Sequence, residues 1–152
     1  MEYITNSEIE TEKIALKLAE RLKTNKVVAL FGDLGSGKTV FVKGLACGLG
    51  IKTVITSPTF VFIKEYPIRK SQITNHKSQT YGNLVHVDCY RVKSEKDAEA
   101  IGLIDYLKQK DNIIAIEWPE NIQSVLPADT IQINFENLGK NVRKILISPD
   151  NV

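Results

Sequence analysis

The chain has 152 residues, 43% of them hydrophobic and 25% charged, which is the composition of one globular domain, long enough to bury a core and too short for a second independent one. Its net charge of +2, from 20 basic and 18 acidic side chains, is too small to argue for nucleic-acid binding by itself. No apolar run approaches the roughly 18 residues that span a membrane, and the opening residues lack the basic and apolar regions of a signal peptide, which points to the cytosol.

The first predicted element is a helix. Ser7-Glu8-Ile9-Glu10 has the form of a capping box, and Ile14, Leu18 and Leu22 recur on one helical face, so the spacing predicts an amphipathic helix over 8–23. Val27 to Phe31 is an unbroken apolar run, as a buried parallel strand should be. Gly32-Asp33-Leu34-Gly35-Ser36-Gly37-Lys38-Thr39 follows at once and fits the phosphate-loop pattern of a glycine, four free positions, then Gly-Lys-Ser/Thr. Val40 to Leu45 continues from it as a helix that stops near 48–50.

Thr56-Ser57-Pro58-Thr59 is rich in hydroxyls and leads into an alternating strand over 60–66. Residues 69–82 are polar and aperiodic and read as an exposed loop; its basic members Arg69, Lys70 and Lys77, with nearby Lys64, are better explained as solvated charges than as an RNA contact. His76 in that loop reads as a solvated side chain. A strand over 84–88 ends in Asp88, short helical pieces cover 97–102 and 104–108, and a fully apolar strand over 113–116 terminates in Glu117-Trp118-Pro119-Glu120. The tail reads as strands over 130–136 and 142–148 joined as a hairpin across 137–141. Cys47 and Cys89 have no metal-ligand spacing and read as small buried apolar side chains. The whole predicts an α/β P-loop NTPase domain over 1–152, with a mostly parallel central sheet flanked by helices and a C-terminal antiparallel hairpin.

In such sheets ligands lie at the carboxyl ends of the strands, which is where the loop, Asp88 and Glu117 all fall. The glycines allow backbone turns closed to other residues, so that N–H groups and a helix N-terminus converge on a polyphosphate. The expected nucleotide site runs over Asp33, Gly35, Ser36, Gly37, Lys38, Thr39 and Val40, with Lys38 reaching the β- and γ-phosphates and Thr39 holding Mg²⁺. Glu117, ending the most apolar strand, is the choice to complete the metal site, and Asp88 the choice to orient or deprotonate water, although the two roles are exchangeable at this stage. Ser57 and Thr59 stand where a switch segment could feel the γ-phosphate; Trp118 is equally a packing residue, a nucleotide contact or an interface anchor; Arg91 either neutralises phosphate or pairs with an acidic neighbour. No Asn-Lys-x-Asp element and no Asp-x-x-Gly switch appears, which disfavours a signalling GTPase and leaves ATP as the natural nucleotide.

The phosphate loop, Ser57-Pro58-Thr59-Phe60, His86-Val87-Asp88-Cys89-Tyr90-Arg91 and Glu117-Trp118-Pro119-Glu120, in this order and in so short a chain, resemble the bacterial P-loop ATPase family of the tRNA threonylcarbamoyladenosine modification system. The resemblance covers nearly the whole chain. It implies an ATPase that binds the threonylcarbamoyl-transferase subunit and its inactive paralogue, touches tRNA weakly or indirectly, and supports repeated turnover in modifying the adenosine next to the anticodon of tRNAs reading A-starting codons. By position it implies phosphate binding by Lys38, Mg²⁺ binding by Thr39 and Glu117, hydrolysis served by Asp88, a switch over 57–59 and a functionally sensitive Trp118. It further implies a polar residue at the start of the first helix and a basic residue in the C-terminal hairpin near the nucleotide, where Glu8 and Lys140 stand; lysine there keeps the charge that is commonly arginine's but loses its fork. Val40 and Cys89 replace a common threonine and leucine. Two rival functions come from other classes: a small-molecule kinase, for which Arg69 and Lys70 make only a thin lid, and a nucleotide-dependent binding module with incidental hydrolysis.

Overall fold

A computed structural model of the chain describes residues 1–22, 26–68 and 82–150. Of the expected loop over 69–82, residues 69–81, with Arg69, Lys70, His76 and Lys77, lie outside the described residues, and Gly82 is described. Among the described residues seven strands form one sheet: β1 (Glu2–Thr5), β2 (Lys26–Phe31), β3 (Ile63–Pro67), β4 (Asn83–Asp88), β5 (Ile113–Glu117), β6 (Ile131–Gly139) and β7 (Val142–Ser148), in spatial order β1-β7-β6-β2-β5-β4-β3. The four central strands β6, β2, β5 and β4 run parallel, and the edges are antiparallel. Helices α1 (Glu8–Ala19), α2 (Lys38–Gly48), α3 (Glu95–Ala100) and α4 (Leu103–Lys108) and a 3-10 segment (Glu120–Val125) complete the described elements.

Alternation along the strands sorts the core into two layers. Val28, Leu30, Ala115, Ile133, Ile145 and Ile147 pack with α1 and α2 on one side; Val27, Val85, Val87, Ile114 and Ile116 pack against Leu103 and Ile122 on the other. Helices α1 and α2 cross closely because Gly44 has no side chain: a Cβ there would lie 2.4 Å from the Glu12 carbonyl oxygen. No helix of the described residues is long and apolar enough to cross a membrane.

Several boundaries differ from the sequence reading, each for a local reason. Ser7 caps α1 by accepting from the Glu10 amide, but Glu10 reaches back to the amide of Asn6 rather than of Ser7. The strand expected over 60–66 starts three residues later, because Val61 and Phe62 both donate to the Pro58 carbonyl and Phe62 takes a φ of 64°. Phe60 and Val61 are thereby turned out, 87% and 58% exposed. The hairpin loop is shorter than expected: β6 and β7 pair as far as Gly139 and Val142, leaving Lys140 and Asn141 as a two-residue turn with φ of 48° and 66°. Cys89 is buried as expected, whereas Cys47 is exposed, since the inward stripe of α2 runs through Phe41, Val42, Leu45 and Ala46 and leaves it on the outer face.

Candidate functional site

The loop over 32–37 leaves the C-terminal end of the central strand β2 and hands over to α2 at Gly37, whose φ of 109° only glycine adopts without strain. An open cleft of about 330 Å³ lies over it at the carboxyl edge of the sheet. Its lining includes Glu8 at the start of α1, the loop from Leu34 to Gly37, Lys38, Thr39 and Val40 of α2, Ser57, Thr59, Asp88, Glu117, Trp118 and Arg143. Of the residues expected at a nucleotide site, two fall outside this lining. Asp33, an exposed member of the loop, contributes its carbonyl oxygen to Lys38. Lys140 stands at the tip of the hairpin turn, exposed, and the cleft-facing cation of the hairpin is Arg143.

Within the cleft the polar groups divide into two clusters. In the first, Thr39 Oγ1 donates to the Glu117 carboxylate, 2.8 and 3.0 Å from its two oxygens, and His86 Nε2 lies 2.8 Å from Glu117 Oε1. In the second, Asp88 Oδ2 accepts from Ser57 and Thr59 hydroxyls at 3.0 Å each, and Asp88 Oδ1 accepts from the Tyr90 amide at 2.9 Å. The parallel register that aligns Asp88 with Glu117 holds the clusters side by side. Arg91 belongs to neither: it donates to the Thr59 carbonyl at 2.5 Å, lies against the Phe62 ring and forms no ion pair among the described residues.

The cations are placed for an anion. Lys38 is 4% exposed; its Nζ donates to the Gly32 and Asp33 carbonyls and stands 3.5 Å from the centre of the Trp118 ring. Burial lowers its pKa below the usual lysine value, while the carboxylates of Glu117, Glu120, Asp33 and Asp88 pull it the other way. Trp118 reaches this position through a φ of 59°, uncommon for a bulky residue, and packs edge-on against Tyr90. Arg143, 7% exposed, brings its guanidinium to within 2.9 Å of where a Gly37 Cβ would be, and forms no ion pair among the described residues. A buried charge is costly unless a counter-charge meets it. A polyphosphate fits these two cations, and the buried Ser36 hydroxyl, which has no hydrogen-bond partner among the described residues, adds a further donor in the loop. The Thr39 hydroxyl and Glu117 carboxylate form the hard oxygen pair that suits Mg²⁺. Cys89, one residue beyond Asp88, takes no part: burial, then Asp88 and Glu120, push its thiol up to about 12, so it stays protonated at neutral pH.

Arg143 and His86 went unassigned in the sequence reading. The alternation of β7 carried the signal for the first, since Arg143 shares an inward face with Ile145 and Ile147. Exchanging Arg143 for alanine is expected to weaken nucleotide binding by roughly tenfold or more, the loss of a hydrogen bond to a charged group, whereas Lys140→Ala changes it less than about twofold. Titration followed by Trp118 fluorescence checks both, and equal losses would contradict the placement.

Comparison with known proteins follows the same lines. The family model described as "Threonylcarbamoyl adenosine biosynthesis protein TsaE" matches residues 5–145. The tRNA threonylcarbamoyladenosine biosynthesis protein TsaE of Aquifex aeolicus is 38% identical over 148 residues, covering 96% of this chain and 94% of that protein. The protein of the same name from Bacillus subtilis is 38% identical over 136 residues, covering 90% and 77%. A crystal structure of Bacillus subtilis YdiB superposes with a TM-score of 0.72 at 32% identity, over 95% of this chain and 82% of that one.

Proposed function

The chain belongs to the TsaE family and serves tRNA threonylcarbamoyladenosine biosynthesis, and from that premise we propose that it acts there as a Mg²⁺-dependent ATPase. The observation that carries this reading is the pairing of Thr39 with Glu117 at the mouth of the phosphate loop, with Asp88 on the neighbouring strand end. Lys38, Arg143 and the loop amides bind the phosphates of ATP. Thr39 and Glu117 would hold Mg²⁺, which would supply neutralisation of phosphate charge. Asp88 orients the attacking water and accepts its proton. Because Ser57 and Thr59 hydrogen-bond the same carboxylate, a change at Asp88 reaches the 57–61 segment, where Phe60 and Val61 are exposed. That segment is the part of the cycle that partners read. We assign as partners the threonylcarbamoyl-transferase subunit and its inactive paralogue, with tRNA touched weakly or indirectly.

The test is a pull-down of the transferase pair by this chain with ATP, with ADP and without nucleotide, together with phosphate release in the presence and absence of the pair. Capture that depends on nucleotide state, with release of inorganic phosphate, is expected. Phosphate transfer to a small-molecule acceptor, independent of any protein partner, would instead identify a kinase.

A further inference from the structure

We propose that His86 is a positioning residue that sets the Glu117 carboxylate for the cation, and so controls how strongly Mg²⁺ enhances nucleotide binding. The inference rests on the reading of Thr39 and Glu117 as the metal-holding pair. Strand β4 places Leu84, His86 and Asp88 on one face, and the register with β5 sets His86 beside Ala115 and Asp88 beside Glu117. The small Ala115 leaves space for the imidazole to reach diagonally to the next residue of β5 on that face. There Nε2 meets Glu117 Oε1 at 2.8 Å, with His86 0% and Glu117 3% exposed.

The ring's other nitrogen identifies what passes between them. Nδ1 is buried and has no hydrogen-bond partner among the described residues. A proton there would leave an N–H donor unmet in the interior, the more costly arrangement, so we assign the proton to Nε2, which donates to the carboxylate. A donor at that position fixes the direction in which the carboxylate points. Thr39 Oγ1 lies 2.8 Å from Oε1 and 3.0 Å from Oε2, so by holding Oε1 His86 sets the orientation of the whole carboxylate against the metal-binding hydroxyl. Without the donor, the buried carboxylate loses one of its partners and is free to turn about its terminal torsion. Removal of such an outer partner typically costs about 10–100-fold in metal affinity.

Affinity for ATP is measured with Mg²⁺ and with EDTA for the native chain, His86→Leu and His86→Gln, alongside the thermal midpoint of each without nucleotide. The amide nitrogen of glutamine reaches the position of Nε2; leucine supplies no donor. Expected is a Mg²⁺ enhancement in the native chain that is kept by His86→Gln and cut about tenfold or more in His86→Leu, with the EDTA affinities of all three alike. A full enhancement in folded His86→Leu would overturn the proposal. Should that variant fail to fold, His86→Asn, whose amide is too short to reach Oε1, replaces it: a loss in His86→Asn beside retention in His86→Gln supports the proposal, and equal enhancement in both overturns it. No enhancement in the native chain would instead overturn the metal reading of Thr39 and Glu117, and this assignment with it.

Discussion

Lys38→Ala is expected to weaken ATP binding by about a hundredfold, the largest loss of any single change in the cleft, while the nucleotide-free chain stays folded. The ammonium is nearly buried, and its present partners are two carbonyl dipoles and an aromatic face, none of which carries a full negative charge. Burial already works against its charged form. A polyphosphate therefore meets a cation that has been desolvated and aimed but not neutralised, the arrangement in which a charge-assisted hydrogen bond is strongest. Hydrogen bonds to charged groups contribute about 1.5–3 kcal/mol each, so losing contacts to two phosphates costs about a hundredfold in affinity at the lower end of that range. Removing Lys38 leaves the Gly32 and Asp33 carbonyls to the open cleft, where water can satisfy them, so the fold should tolerate the change. Lys38→Arg is not expected to rescue binding, because a planar fork does not take the place of a compact ammonium between two loop carbonyls and a ring. Calorimetric titration of ATP decides the matter: an unchanged dissociation constant in Lys38→Ala would remove the phosphate assignment.

Much of this site is legible in the sequence because its parts lie at ends of strands that announce themselves. Val27 to Phe31 and Ile113 to Ile116 are continuous apolar runs, so the phosphate loop and Glu117 could be placed on the same sheet edge before any coordinates. The pairing of Thr39 with Glu117 and of Ser57 and Thr59 with Asp88 follows from strand order, which local pattern does not encode. What escaped notice is of one kind: polar residues on inward faces. Arg143 alternates with isoleucines on β7, and His86 sits between valines on β4; each reads as surface or core until the register brings it against Gly37 or Glu117. Lys140 is expected near the nucleotide from the family resemblance alone; the two-residue turn holds it exposed at the hairpin tip, outside the cleft lining. The late start of β3 has a local origin, a Pro58 carbonyl taking two amide donors that the alternation of 60–66 cannot reveal.

Asp88→Asn is expected to leave ATP binding within a few-fold of native while phosphate release in the presence of the transferase pair, and with it multi-turnover tRNA modification, falls by a hundredfold or more. The substitution is close to isosteric, and the present contacts explain why it should preserve the cleft. The asparagine oxygen can still accept from the Tyr90 amide, and its amide nitrogen can donate to the Ser57 and Thr59 hydroxyls, which reverse from donors to acceptors by rotating their protons. The 57–59 segment thus stays tethered, and what disappears is the negative charge and the ability to accept a proton. General-base assistance contributes about 10²–10⁴ in rate, which sets the size of the loss. Glu117→Ala behaves differently under the same assay. It removes the acceptor of the Thr39 hydroxyl and strands the His86 donor in the interior, so it should lower Mg²⁺-dependent ATP affinity as well as turnover. The contrast between the two variants divides the roles that the sequence leaves exchangeable: loss of turnover at preserved affinity assigns hydrolysis to Asp88, and loss of the Mg²⁺ contribution assigns the cation to Glu117. On the proposed cycle, single-turnover modification should survive in Asp88→Asn, because one round would need the nucleotide-bound chain only once and repeated rounds would need it reset. Undiminished multi-turnover modification by both variants would sink the hydrolytic cycle and leave a nucleotide-dependent binding module in its place.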